Sequence, residues 1–504
     1  MEKKNNFNLH FQKIVKKNKY KIAITDLKNK EYTYDYLNKK SDYVSSFLFS
    51  NFKKGSVILI QAKKNIETFL SIIACLKSGY PYIMLDDNLP KSRVDQIIQS
   101  SSSKIYLTSN LNKNVSIKNF LIQKIKKSNL IDNLNICYGK VKDKNIAYIM
   151  YTSGSTGEPK GAMIDHKSLL IFSKETKINF KIKKNDIFTQ VNPLYFDNSV
   201  FDIYASLLNG NKLVLVEKLN ISEPKKLIER VFKHKCTVWF STPSLLIYLI
   251  NIGQVSKKKF KFLKKIIFGG EAFPKDKLQT LFKILKKKEY YNVYGPTEGT
   301  CICSSHLIKK KDLYDDSSLY VTLGKIWKSF GYKIINKSNK NSKRSHGELV
   351  LTGKSIAHGY MGKKNLTKKQ FYFTKKYRAY KTGDIVYENT RNKEIFFVGR
   401  KDSQIKHMGY RIELNEIEVV INKAPEVKEV FVFYVKKSLG SIVAIISTNN
   451  YKLSRERINY YILKHLPKYF LPNYIFFCKD LIKNANNKID KHKLKKIYEK
   501  KIAS

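Results

Sequence analysis

A chain of 504 residues is too long for one compact core and suits two to four units of about 100–200 residues each. With 42% hydrophobic and 13% aromatic residues it is excluded from the disordered class. The net charge of +55 would ordinarily point to a polyanionic partner. Yet only nine of the 96 basic residues are Arg, the better bidentate reader of phosphates and bases. The lysines also run along the whole length rather than gathering into one arm, so coding bias accounts for them and no nucleic-acid partner is expected.

The N-terminal stretch Met1-Glu-Lys-Lys-Asn-Asn6 is polar and no apolar h-region follows it, so no secretory signal is read. No apolar run reaches the ~18 residues of a membrane span. The six cysteines (Cys75, Cys137, Cys236, Cys301, Cys303 and Cys478) are scattered, without C-x-x-C spacing. They read as small hydrophobes in a reducing cytoplasm, which is the expected location.

In chain order, short β-branched or aromatic runs alternate with longer amphipathic stretches through about residue 300. Strands are expected at Val57–Gln61, Tyr82–Leu85, Ala147–Tyr151, Lys212–Glu217 and Lys265–Phe268, a rhythm that gives βα units and largely parallel sheets. The third of these runs into Tyr151-Thr-Ser-Gly-Ser-Thr-Gly-Glu-Pro-Lys-Gly161. Gly154, Gly157 and Gly161 let backbone N–H groups approach anionic oxygens. Thr152, Ser153, Ser155 and Thr156 add hydroxyl donors, and Lys160 adds a mobile positive charge. The spacing is not that of a Walker A loop, but a strand in front, hydroxyls throughout and a lysine behind point to a polyphosphate. Beyond residue 320 the runs alternate and turn more often (Gly347–Gly353, Glu394–Gly399), as in a small barrel. A boundary is expected near Lys401–Asp402. After it come a charged helix (Glu413–Asn422), strands at Val427–Val435 and Ser441–Ser447, another helix and a last strand. The division is thus a core over residues 1–401 and a small α+β unit over 402–504.

Further motifs follow the phosphate loop: Asn292-Val-Tyr-Gly-Pro-Thr-Glu298, Tyr380-Lys-Thr-Gly-Asp384, Gly399-Arg-Lys-Asp402, Gly409-Tyr-Arg-Ile-Glu413 and Asn486-Asn-Lys-Ile-Asp490. In this order, with Tyr32-Thr-Tyr, Gly347-Glu-Leu, His358-Gly-Tyr360 and Leu466-Pro-Lys, they resemble the adenylate-forming enzymes over nearly the whole chain. The match is to the amino-acid adenylation domains of nonribosomal peptide synthesis and the related D-alanine–carrier protein ligases. The resemblance implies a large α/β N-terminal domain, with two mostly parallel βα sheets plus a small β-barrel, and a small mobile α+β C-terminal domain. It implies ATP and Mg²⁺ as cofactors.

By that resemblance, Ser153, Gly154, Ser155, Thr156, Gly157 and Lys160 wrap the β- and γ-phosphates, Tyr294 and Asn292 face the adenine, and Thr297 touches a phosphate. Glu298 binds Mg²⁺, which favours carboxylate and phosphate oxygens. Asp384 accepts from the ribose hydroxyls with Arg400 assisting. The reaction joins a carboxylate to the α-phosphate, so positive charge is needed where two anions meet. Lys488 resembles the family's catalytic lysine, and Glu298 and Thr152 complete the catalytic set.

The stretch Pro193-Leu-Tyr-Phe-Asp-Asn-Ser-Val-Phe201 resembles the amino-acid-activating branch, in which an aspartate matching Asp197 pairs with the substrate ammonium. A buried ammonium without a counter-charge costs several kcal/mol. A helix N-cap is the plainer role for such an aspartate. The family's pocket falls on Asp197, Asn198, Phe201, Phe240, Ile267, Gly269, Val293, Cys301 and Ile302, closed by Lys488. This mostly apolar lining, with Gly269 leaving depth, implies a branched aliphatic amino acid; D-alanine is the alternative, as are acyl or aryl acids passed to coenzyme A. A binding protein is the reading from another class, either a decayed, inactive adenylation fold or a basic nucleic-acid binder. The small domain swings about a hinge matching Asp402, and a phosphopantetheine thiol of a separate carrier protein then takes the aminoacyl group. The resemblance departs from its pattern at Asn487, where glycine is usual, at Met408, where a basic residue is common, and in Leu481–Asn486.

Overall fold

The computed structural model describes residues 6–112, 114–125, 134–154, 158–217, 223–315, 320–335, 346–436, 440–450, 452–484 and 489–503. The chain divides into two compact units. The first comprises residues 1–87, 98–151 and 161–401; the second comprises 88–97, 152–160 and 402–504, so a boundary falls between Lys401 and Asp402.

The first unit is built on βα repeats. Buried strands such as Ile58–Gln61, Tyr82–Leu85 and Val238–Ser241 have no exposed residue, as parallel strands covered on both faces require. Helices between them start at side-chain caps: Asn65 accepts from Thr68 N ahead of Ile66–Ser78, and Thr33 from Tyr36 N ahead of Tyr34–Asn51. Gly79, at φ +73°, ends the first of these. A nine-stranded sheet runs in the order Lys325–Ile326, Ser304–Leu307, Glu289–Tyr294, Lys265–Gly269, Val238–Ser241, Ile187–Gln190, Lys212–Leu215, Ile22–Thr25 and Glu31–Thr33. Its six inner strands, Glu289–Tyr294 through Ile22–Thr25, are all parallel. Their carboxyl ends therefore line one edge, where an open α/β sheet binds ligands. A six-stranded sheet takes Lys118–Leu121, Ile105–Thr108, Ile58–Gln61, Tyr82–Leu85, Ile146–Thr152 and Lys160–Asp165 in that order. The turn-rich region read as a small barrel forms a five-stranded antiparallel sheet around the long strand Arg378–Glu388.

The second unit shows period-two burial plainly. Val430, Val432, Ile442, Ala444 and Ile446 share a core with the helices Leu414–Ile421 and Arg455–His465. The intervening Phe431, Phe433, Val443 and Ile445 pack with Leu494 and Tyr498 of the C-terminal helix Lys491–Ala503, an element the sequence reading did not include. Strands Glu429–Val435, Ser441–Ser447 and Tyr474–Cys478 make the sheet between these two layers. The hairpin Gln404–His407/Tyr410–Glu413 turns on two residues, Met408 at φ +51° and Gly409 at φ +87°, as a two-residue hairpin with right-handed strands demands. Among the described residues no helix is long and apolar enough to cross a membrane.

Candidate functional site

The strand Glu289–Tyr294 ends in a turn that only glycine permits at its first step. A Cβ on Gly295 would lie 2.2 Å from the Cys301 carbonyl oxygen and 2.7 Å from Ile302 Cα. Thr300 and Cys301 adopt φ +57° and +75°, an uncommon pair for non-glycine residues, and curl the chain back over the turn. The short 3₁₀ turn Thr297–Gly299 lies buried inside this curl. Glu298 is fully buried, and its Oε1 accepts from the Tyr360 hydroxyl at 2.6 Å. Thr297 Oγ1 donates to Asp197 Oδ2 at 2.5 Å. Asp197 stands at the N-cap position of the short helix Asn198–Val200, yet its side chain makes no cap bond. The N-cap role is therefore not the one its side chain takes.

Asp384 and Arg400 are register partners on the strands Arg378–Glu388 and Ile395–Arg400. Arg400 Nη1 donates to Asp384 Oδ1 at 2.6 Å and to the Thr382 carbonyl at 3.2 Å. The Tyr294 hydroxyl donates to Asp384 Oδ2 at 2.5 Å. Burial first, then the Asp384 charge, holds that phenol well above its usual pKa, so it remains a donor. The amide of Asn292 donates to the Thr322 carbonyl at 2.8 Å. The two side chains expected at the adenine are thus tied to a carboxylate and to the 321–322 backbone.

The residues expected to line the pocket are packed into a wall. Phe201 and Phe240 meet edge to face at 4.9 Å, and Phe201 also contacts Phe180 and Phe188 at 5.5 and 5.9 Å. Ile267, Val293, Cys301 and Ile302 are buried, while Asn198 is half-buried. Gly269 differs from expectation. A Cβ there would lie 2.4 Å from the Val293 carbonyl oxygen and 2.5 Å from Val293 Cγ2, so the missing methyl is used by the neighbouring strand and does not deepen the pocket. Its neighbour Gly270, at φ +87°, is the roomier of the two, with Thr242 Cγ2 at 3.8 Å and Asn198 Nδ2 at 4.0 Å from an added Cβ.

Behind this wall lies a polar network that the sequence did not disclose. Asn192 Nδ2 donates to Asp202 Oδ2 and to the Phe240 carbonyl, both at 3.0 Å. Asp202 is fully buried inside the π-helical turn Phe201–Ala205, and burial pushes its carboxyl well above the usual range. Such a π turn is frequent at functional segments. Its signal in sequence was slight: an aspartate following a pocket phenylalanine in an otherwise apolar helix.

In the second unit the phosphate loop is partly described. A Cβ on Gly154 would lie 2.1 Å from the Glu158 carbonyl oxygen, so a side chain at this position would meet backbone. Ser153 Oγ donates to the Arg411 carbonyl at 2.5 Å, and Lys160 is buried. The Thr152 hydroxyl is cut off from solvent with no hydrogen-bond partner among the described residues, a donor suited to an anionic oxygen. Burial pushes the Glu413 carboxyl up against the opposing charges of Lys160 and Arg411. Asp402 is exposed, with its Oδ1 accepting from Gln404 N at 3.3 Å. Ser155, Thr156, Gly157 and Lys488 lie outside the described residues. Of the cysteines, Cys75, Cys236, Cys301 and Cys303 are buried as expected, and Cys478 is half-buried; the Cys137 side chain lies outside the description.

Among the described residues no cluster of three or more His, Cys, Asp or Glu stands ready to hold a metal. One buried carboxylate at Glu298 is what a Mg²⁺ site completed by substrate phosphates needs, so the residues fit that ion.

Two family models match the chain: AMP-binding enzyme over residues 11–361, and AMP-binding enzyme C-terminal domain over residues 416–488. Similar curated proteins include the D-alanine--D-alanyl carrier protein ligases of Bacillus cytotoxicus, 31% identical over 92% of this chain and 94% of that protein, and of Bacillus licheniformis, 33% identical over 88% and 89%. Among solved structures, a Vibrio cholerae adenylation domain in complex with glycyl-adenosine-5'-phosphate superposes with a TM-score of 0.83 at 21% identity, covering 99% of this chain and 98% of that one. An artificially fused adenylation–PCP di-domain from Klebsiella oxytoca gives 0.82 at 19%, covering 99% and 97%.

Proposed function

This chain belongs to the AMP-binding enzyme family, and we propose that it is a cytoplasmic D-alanine–carrier protein ligase that uses ATP with Mg²⁺. A substrate carboxylate oxygen attacks the α-phosphorus of ATP, the bond to pyrophosphate breaks, and an aminoacyl-AMP results. A phosphopantetheine thiol of the carrier protein then attacks the acyl carbon; the thioester forms, AMP leaves and the thiol proton goes to solvent. Glu298 would hold Mg²⁺, with Tyr360 orienting its carboxylate, and the ion would supply charge neutralisation at the phosphates when bound. Asp384, flanked by Arg400 and Tyr294, accepts from the ribose. Thr152, Ser153 and Lys160 face the phosphates, Lys488 steadies the developing charge, and Asp402 serves as the hinge.

The observation that supports this reading most is the Thr297–Asp197 hydrogen bond at 2.5 Å. It joins the residue assigned to a phosphate with the residue assigned to the ammonium, so both substrates meet at one edge of the sheet. D-alanine as substrate is supported by the relatives' activity and by a wall in which Gly269 adds no depth and both phenylalanines are packed from behind. The apolar lining of Ile267, Val293 and Ile302 is what favours a branched aliphatic amino acid as the second reading. Pyrophosphate exchange across all L-amino acids, glycine and D-alanine decides: D-alanine is expected to give the largest signal, and exchange driven best by valine or isoleucine rejects it. Lys488→Ala is expected to lower exchange by about 10²–10³.

A further inference from the structure

Thr297, assigned above to a phosphate, is hydrogen-bonded to Asp197, assigned above to the ammonium. Its hydroxyl donates to Asp197 Oδ2 at 2.5 Å, the short distance of a bond to a charged acceptor. The backbone around it is fixed: Gly299 N donates to the Pro296 carbonyl at 2.9 Å and Thr300 N to the Thr297 carbonyl at 3.2 Å. Asp197 is held through its own carbonyl, which accepts from Val200 N at 2.9 Å, and its carboxylate is not engaged in capping. The hydroxyl can therefore turn away from Asp197 by rotating about one side-chain bond. A hydroxyl carries a single proton. It serves the carboxylate or a phosphate oxygen, never both at once.

We propose that Thr297 is a positioning residue that couples the two substrates, passing its one hydrogen bond from Asp197 to the nucleotide so that amino acid and ATP each bind more tightly when the other is present. This rests on the assignment above of Asp197 to the ammonium and Thr297 to a phosphate. The sign follows from charge. When ATP binds alone, it takes the hydroxyl and strips a half-buried carboxylate of a strong donor. When an ammonium already neutralises Asp197, the same hydrogen bond is weaker and its loss matters less, because bonds to charged groups are worth more than neutral ones. Linkage makes the effect reciprocal, and a coupling of about five- to tenfold is expected.

The test is calorimetric titration of D-alanine into the 504-residue chain, with and without saturating α,β-methylene-ATP and Mg²⁺, which bind without reacting. For the natural sequence the Kd for D-alanine is expected to fall about five- to tenfold when the nucleotide analogue is present. Thr297→Ser keeps the ratio, and Thr297→Val, of the same shape, brings it to about one by removing the only proton that can move. A merely structural threonine changes both Kd values together and leaves the ratio intact, so a Thr297→Val protein with the natural ratio overturns the proposal. A natural protein whose ratio is one overturns it without any variant. If D-alanine drives no pyrophosphate exchange, the substrate assignment fails separately, and the same titration is run with valine or isoleucine, whichever exchanges.

Discussion

Replacing Gly269 by alanine separates two accounts of the pocket. The strand Lys265–Gly269 pairs with Glu289–Tyr294 so that Gly269 faces Val293, and a Cβ would sit 2.4 Å from the Val293 carbonyl oxygen. Carbon–oxygen contacts settle near about 3.3–3.6 Å, so one of the two strands must move by close to an ångström. The obstructing atom is backbone and cannot rotate away. Overpacking of this kind costs about 1–3 kcal/mol. The chain's two tryptophans, Trp239 and Trp327, report on this region: Trp239 lies on the adjoining strand, opposite Ile266, and Trp327 donates its backbone N–H to Cys303. Urea unfolding followed by their fluorescence is expected to show the loss, while the ratio of pyrophosphate exchange with D-alanine to that with glycine stays within about twofold, because a change in pocket size of one methylene would move it by 10–200-fold. A Gly269→Ala protein of undiminished stability whose exchange shifts toward glycine would refute the reasoning, since the methyl would then have entered the substrate's space.

Three other outcomes follow from the geometry. Arg400→Ala removes the guanidinium from a buried pair in which Asp384 is 6% exposed; breaking such a pair costs about 3–5 kcal/mol, and both unfolding stability and the KM for ATP are expected to suffer, which denaturation and exchange kinetics check. Tyr360→Phe deletes the donor to Glu298 and, with the fold kept, is expected to raise the Mg²⁺ concentration needed for half-maximal exchange by about tenfold, the worth of a hydrogen bond to a charged group; an unchanged Mg²⁺ titration rejects the orienting role. His166 is buried without a hydrogen-bond partner among the described residues for either ring nitrogen, and burial lowers it from 6.5 to about 4. The unfolded chain therefore takes up this proton near pH 6.5 and the folded chain only near pH 4, so stability is lost as pH falls through that window, by about 3 kcal/mol in all. His166→Gln is expected to flatten that part of the stability–pH profile.

Much of the fold was legible because its elements carry strong local periodicity. Tyr82–Leu85 falls where the apolar run begins and ends, since a fully covered strand has no polar residue to blur its limits, and in Ser441–Ser447 the two serines bracket the apolar run. The C-terminal helix Lys491–Ala503 was missed for the opposite reason. Six lysines in thirteen residues hide its apolar stripe, and what makes it a helix is the sheet face of Phe431, Phe433 and Ile445 against which Leu494 and Tyr498 lie. Propensity is weak where tertiary packing decides. The expected depth at Gly269 failed likewise: residue type reports a missing methyl, but only the register with Val293 tells which neighbour has taken its place.

The site itself depends on topology more than on any one motif. Asp197 and Thr297 are a hundred residues apart, and nothing in their local sequence says that they touch. What brings them together is that Ile187–Gln190, Val238–Ser241, Lys265–Gly269 and Glu289–Tyr294 all run the same way. The segments leaving their carboxyl ends, carrying Asp197, Thr242, Gly270 and Thr297, must then emerge along one edge. Parallel pairing thus turns four separate loops into one surface, and the left-handed residues Thr300 and Cys301 fold the last of them inward until its hydroxyl reaches a carboxylate. Identity alone would assign Thr297 to a phosphate and Asp197 to an ammonium as independent roles. Contact between them makes the two roles, on the proposed assignment, a property of the pair rather than of either residue alone.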